Sequence, residues 1–479
     1  MRKLLGLAVL LLIGISPRLS ADSPPAARPP AEAIRGNWLG TLKIQTFKLR
    51  IAVTISGETA SSLKGTLNSL DQDGAPHPLD EVSLEGTKVR LAWKRPGVVI
   101  EGTLNAEGNE IDGQFKQRGA TFPIVFKKSE KAPEGRKRPQ EPKRPFPYKE
   151  EEVTYENKAE HVTFSGTLTR PRSGGPFPAV LLITGSGQQD RDETVFGHRP
   201  FLVLSDYLTR RGIAVLRVDD RGIGGSKGDV ANATSENFAS DVLAGVAYLK
   251  SRKDIDPHKI GLMGHSEGGI IAPMVAEKSP DVAFIVLLAG TGVPGEQISM
   301  FQMMTLMKQS GASEAEIAKS RALQEKLYGI LEHETNADAR HAKLKQAFEE
   351  AFASMTDEEK KKAGAAANAE KSAAAVEHPW TRFYFLHDPR PTLRHVHCPV
   401  LAVNGAKDIQ VPPKVNLPEI EKALKEGGNK DFTVLELPHL NHLFQTCKTG
   451  TLGEYAQIEE TFSPSALELI GNWIDRHTK

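Results

Sequence analysis

The chain has 479 residues, too many for one hydrophobic core, so two folded units are expected. Apolar residues make up 39% and charged residues 25%, as in an ordinary globular protein. A formal net charge of +1 leaves no basic excess with which to hold nucleic acid, so nucleic-acid partners are excluded.

Residues 1–21, MRKLLGLAVLLLIGISPRLSA, open with Arg2 and Lys3, continue through an apolar stretch from Leu4 to Ile15, and end on the small residues Ser20 and Ala21. Basic, apolar and small in that order is a secretory signal peptide, with an apolar stretch too short to span a bilayer. Cleavage is expected after Ala21, and the loss of Arg2, Lys3 and Arg18 leaves a net charge of −2. No later run has the apolar length of a membrane helix, so stable membrane insertion is not expected. The mature protein is expected to be exported, either periplasmic or secreted.

Residues 22–33, DSPPAARPPAEA, read as a Pro/Ala lead-in without structure. From 34 to 128 short alternating runs such as KLRIAVTIS, KVRLAW and VVIEGTLN are punctuated by Gly, Asn and Asp. That texture predicts an antiparallel β-rich domain, a small barrel or sandwich. Residues 129–150 are rich in Pro, Lys and Arg and read as a solvated, semi-rigid linker.

The texture changes over 151–479. PAVLLITGSG, IAVLRVDDRG, KIGLMG and AFIVLLAG are continuous apolar runs separated by helical spacings such as PFLVLSDYLTRRG and ENFASDVLAGVAYLKSR. Apolar strands alternating with helices predict a mostly parallel sheet covered on both faces, an α/β domain. The alternation breaks over 291–386, a helical cap insertion, and resumes with CPVLAVNGAKD and DFTVLELPHLNH.

Within KIGLMGHSEGG the pentapeptide Gly264-His265-Ser266-Glu267-Gly268 follows a strand and precedes a helix, the setting of a nucleophile elbow. The flanking glycines leave room where backbone segments crowd together, and the turn lifts the Ser266 hydroxyl above the sheet. A serine hydroxyl needs a base, and in this architecture the order is serine, acid, histidine. Asp408 in NGAKDIQVPP is the candidate acid. Asp219, Asp220 and Asp388 are read as loop-holding residues. For the base, LPHLNHLF offers His439 and His442; the latter sits further into the loop, where it could lean over Ser266. The Glu267 amide and an amide of Gly187 or Gln188, in the loop TGSGQQDRDE, are candidates for an oxyanion hole. Arg221 is expected to pair with Asp190 or Asp192.

The His-x-x-His pair and His395/His397 lack the Glu or Cys companions of zinc patterns, so no metal is expected. The chemistry calls for no cofactor. Cys398 and Cys447 fall near opposite ends of the sheet and are expected as free thiols.

TGSGQQDRDE, DDRGIGGSKG, GHSEGG, NGAKDIQVP and LPHLNHLFQ, in this order, resemble the exported α/β-hydrolase esterases of the serine aminopeptidase-like kind. The resemblance covers about Glu152 to Lys479. It implies a carboxylic-ester hydrolase with Ser266, Asp408 and His442 as its triad, the Asn-His pair of the motif singling out His442 over His439. An extra β-rich N-terminal region is also similar to what such enzymes carry. Peptidases share the superfamily, so a serine peptidase using the same triad is the rival reading, and a non-catalytic envelope-binding protein a further one.

In the cap, Met300, Met303, Met304 and Met307 share one helix face that either lines an acyl pocket or packs the cap, and Trp380 and Phe383 are candidate pocket walls. No acidic cluster is evident to hold a substrate's amino terminus, which favours a small-molecule ester as substrate. The oligomeric state is not legible.

Overall fold

The computed structural model describes residues 31–479 except 45–46, 73–74, 118 and 358–367. The leader and most of the lead-in lie outside these residues, as does much of the charged, Ala-rich segment of the cap.

Nine strands form the first sheet: β1 (Gly36–Ile44), β2 (Phe47–Ser56), β3 (Lys64–Ser69), β4 (His77–Pro78), β5 (Glu81–Glu85), β6 (Lys88–Trp93), β7 (Val98–Leu104), β8 (Glu110–Gln117) and β9 (Ala120–Ser129). They run antiparallel in the order β4-β3-β2-β1-β9-β8-β7-β6-β5. Alternation along each strand turns one face inward, so Trp38, Leu42, Val53, Ile100 and Phe126 gather in a single core. Ile34, the first residue of the expected β-rich domain, is fully buried against it, and its carbonyl accepts the Trp38 indole N–H at 2.8 Å.

The second sheet has eight strands: β10 (Lys149–Asn157), β11 (Val162–Arg170), β12 (Phe177–Ile183), β13 (Ala214–Val218), β14 (Ile255–His265), β15 (Phe284–Leu288), β16 (Val400–Gly405) and β17 (Phe432–Leu437). Their order is β10-β11-β13-β12-β14-β15-β16-β17. β11 pairs antiparallel with both β10 and β13, and from β13 onwards every pairing is parallel. This is the α/β-hydrolase architecture. The central strands read as unbroken apolar runs because both faces are covered. Leu181 and Ile183 of β12 pack towards the helices 235–251, 268–278 and 413–426, while Val180 and Leu182 pack towards the helices 200–210 and 464–478.

Between β15 and β16 a set of helices forms the cap: Gly295–Gln309, Glu314–His333, Ala337–Ala353, Ala369–Glu377 and Pro379–Leu386. Leu331, Leu344 and Phe348 give it a small core of its own. Most of the segment 129–150 is exposed, but a few of its side chains dock on the hydrolase domain. Arg138 donates to the carbonyls of Phe196, Gly197 and Ile458, Gln140 bonds the main chain at Thr461 and Phe462, and Glu141 pairs with Arg199. A Pro-rich strip cannot join a ladder, but its long polar side chains satisfy carbonyls that loops of the hydrolase sheet leave unpaired.

Candidate active site

β14 ends at His265 and the helix Gly268–Lys278 begins three residues later, so Ser266 sits on a one-step reversal. Its φ is +53°, a left-handed conformation that a residue with a Cβ adopts only under compulsion. The compulsion is visible: the Ser266 amide donates to the Leu288 carbonyl at the end of β15 at 2.8 Å, and the Gly269 amide returns to the Ser266 carbonyl at 2.9 Å. A Cβ at Gly264 would be driven into the Gly268 carbonyl, and one at Gly268 into the Ile183 carbonyl. The two glycines therefore let strand, turn and neighbouring strand close on one another. Ser266 itself remains half-buried, at the carboxyl ends of the parallel strands.

Asp408 stands in the turn after β16, and His442 in the loop after β17. Oδ1 of Asp408 accepts the amides of Gln410 at 2.8 Å and Val411 at 2.9 Å, which leaves Oδ2 for Nδ1 of His442 at 2.7 Å. The pair is sealed from water, with the Asp408 side chain wholly buried. A carboxylate has only lone pairs to offer, so Nδ1 carries the hydrogen and Nε2 is left basic. His439 is exposed, at φ +64°, and its carbonyl accepts the Cys447 amide.

The loop after β12 is held at several points. Gly185 donates to Glu193 at 2.7 Å, Gln189 to Asp220 at 2.6 Å and Arg191 to Asp219 at 2.9 Å. Asp219 and Asp220 are thus loop-holding residues, and Asp388 caps the helix Pro389–Arg394 and pairs with Arg390. Between the fixed points the Gly187 and Gln188 amides donate no hydrogen bond among the described residues, and Gly187, at φ +90°, has open space beside it. The Glu267 amide lies at the start of the helix Gly268–Lys278, the end that favours negative charge. The Glu267 carboxyl points elsewhere, accepting from Ser235 at 2.7 Å and from the Trp380 indole at 2.8 Å. Burial pushes it above the usual carboxylate range.

Arg221 does not pair with Asp190 or Asp192. It grips Asp241 at 2.6 Å and reaches Glu160, whereas Asp192 meets Arg217 and Arg199. Asp241 is carried by the helix 235–251 and is buried together with Arg221.

In the cap, Trp380 reaches the elbow through Glu267, and Phe383 stacks on His387 with ring centres 5.0 Å apart. Met300 packs in the core of the cap and the Met304 sulfur meets Arg321, while Met303 and Met307 are half-buried. Two polar links went unread in the sequence. Gln302 donates to the Gln410 carbonyl at 3.0 Å, tying the cap to the Asp408 turn, and Glu193 bonds His265 at 2.9 Å. Gln302 carries no motif; Glu193 and His265 both lie inside quoted motifs, but nothing local joins them.

Cys398 and Cys447 are both free. Among the described residues no three His, Cys, Asp or Glu side chains gather as a metal site would need, and no helix is long and apolar enough to cross a membrane.

Over 281 residues the chain is 28% identical to Esterase EstD of Thermotoga maritima, an alignment covering 58% of this chain and 57% of EstD. The chain thus spans little more than half the length of that relative. A solved Pyrococcus furiosus esterase is 17% identical with a TM-score of 0.42, covering 70% of this chain and 92% of the other. Residues 161–428, more than half of the chain, match the model of the X-Pro dipeptidyl-peptidases, and the chain belongs to that family, S15.

Proposed function

We propose that the protein is a serine hydrolase that cleaves carboxylic esters of small molecules through an acyl-enzyme. Ser266 attacks the carbonyl carbon, and its proton passes to Nε2 of His442. Asp408 keeps the imidazole in the tautomer that can accept it and stabilises the imidazolium once formed. The tetrahedral oxyanion is met by the Glu267 amide and by a Gly187 or Gln188 amide, each donor being worth about 3 kcal/mol. The returning proton expels the alcohol, and water, activated by the same histidine, releases the acid.

The observations that carry this reading are the sealed Asp408–His442 hydrogen bond at 2.7 Å and a half-exposed serine held at φ +53° directly after His265, whose ring lies 4.7 Å from that of His442. The likeness to an esterase supports the ester bond as target. So does the disposition of Glu267: this buried carboxyl, next to the serine in the chain, already accepts from Ser235 and Trp380. The family match supports a second reading, an X-Pro dipeptidyl-peptidase with the same triad. Parallel assays on p-nitrophenyl acetate and on alanyl-prolyl p-nitroanilide decide between them; the ester reading expects the acetate to turn over and the anilide to remain uncleaved. The basic and apolar leader supports export, which N-terminal sequencing of the protein recovered from its native host tests.

A further inference from the structure

His265 precedes Ser266 and has no part in the triad proposed above. Both its ring nitrogens face oxygens: Nδ1 is 2.9 Å from Oε1 of Glu193, and Nε2 is 2.9 Å from the main-chain oxygen of His442. A carbonyl oxygen can only accept, so Nε2 carries a hydrogen. Oε1 of Glu193 also accepts the Gly185 amide at 2.7 Å, acting as a carboxylate oxygen, so Nδ1 carries one as well. An imidazole with two N–H groups is a cation.

The surroundings fit that charge. His265 is 6% exposed and Glu193 3%, a buried charge with its counter-charge in contact. Burial works against the cation, but Glu193, the His442 carbonyl and Asp408 outweigh it, and His265 holds its proton more firmly than a free histidine. Glu193 is itself kept at φ +52°, a strained conformation secured by its amide on the Asp190 carbonyl. The rings of His265 and His442 lie 4.7 Å apart, and Glu193, Asp408 and His442 are the titratable groups that face His265.

We propose that His265, as an imidazolium paired with Glu193, is a positioning residue that locks the His442 loop to the nucleophile elbow and sets a fixed positive charge beside the catalytic base. A cation at that distance opposes a second one on His442. One carboxylate oxygen thereby joins the oxyanion loop, the elbow and, through the ring, the histidine loop. This inference rests on the triad reading.

The test is the pH profile of kcat/KM for p-nitrophenyl acetate in His265→Gln, which keeps a donor for the His442 carbonyl but carries no charge. The acid limb is expected to move up by about one pH unit, so that the variant loses about tenfold more activity at pH 6 than at pH 9. A uniform loss at every pH, or an unmoved acid limb, overturns the proposal, since a purely structural role would give either. Should that variant fail to fold, nitrogen NMR of histidine-labelled wild-type protein decides. One ring with both nitrogens protonated at pH 8, and lost in Glu193→Gln, is expected; no such ring overturns the proposal. Ser266→Ala in the same assay separates the two levels. If it retains full turnover the triad reading is what fails, while the labelled ring still reports whether His265 is charged.

Discussion

Asp408 and His442 are 34 positions apart in the chain, yet the hydrogen bond between them at 2.7 Å is sealed from solvent and uses the one carboxylate oxygen that backbone amides leave free. That division of labour dictates what an isosteric change does. In Asp408→Asn the amide oxygen keeps the Gln410 and Val411 amides, and the NH2 turns to His442 and donates to Nδ1. The imidazole is then forced into the tautomer with Nε2 protonated, which cannot take the serine proton. Ester turnover is expected to fall by about 10⁴-fold with the melting temperature little changed, measured by steady-state kinetics and thermal denaturation. A loss of tenfold or less would mean that His442 does not depend on Asp408 for its tautomer.

The proposed base, His442, is tested by covalent labelling. A fluorophosphonate is expected to modify the wild-type chain and His439→Ala at comparable rates, to modify His442→Ala at least a hundredfold more slowly, and not to modify Ser266→Ala. The exposure of His439, whose carbonyl accepts the Cys447 amide and thiol, underlies the contrast. Labelling that survives loss of Ser266 would remove the serine from the chemistry.

Two glycines near the site are expected to respond differently to alanine. At Gly264 the new methyl meets the Gly268 carbonyl, backbone that cannot step aside, and a loss of about 3 kcal/mol or more is expected. Gly187 has open space beside it and only its φ of +90° to lose, a cost of about 1–2 kcal/mol. Urea denaturation of both variants checks the ranking, and equal losses would place the elbow's packing in doubt.

Acid stability is expected to hinge on His198. It is buried, with Nδ1 3.0 Å from the Thr461 hydroxyl and Nε2 near the Tyr455 carbonyl and the Gln445 amide. Burial, with Arg138 nearby, lowers its pKa to about 3. The folded chain therefore keeps His198 neutral where the unfolded chain, titrating near 6.5, takes up a proton. Stability is expected to be fully present above about pH 6.5 and to decline as the pH falls towards 3, by at most about 1.4 kcal/mol per unit from this group. Denaturation midpoints from pH 8 to 4 should flatten in His198→Asn, and an unchanged slope would acquit His198.

What could be read from the residues alone was whatever depends on neighbours along the chain. Unbroken apolar runs between helical spacings marked a parallel sheet, because only strands covered on both faces tolerate such runs. Gly264, Ser266 and Gly268 marked the elbow, because the turn's own geometry forbids side chains at the flanking positions. Pairings across long separations were decided by the fold. His439 and His442 share one loop and one side-chain type, and only the approach of β16 sets the second against Asp408 and leaves the first in water. Arg221 met Asp241 instead of Asp190 or Asp192, the largely exposed strip 129–150 docked through Arg138, and Glu193 reached His265 across 72 positions. Charges and hydrogen-bonding groups pair with whatever the packed sheet and helices bring within reach, and no local pattern encodes that distance.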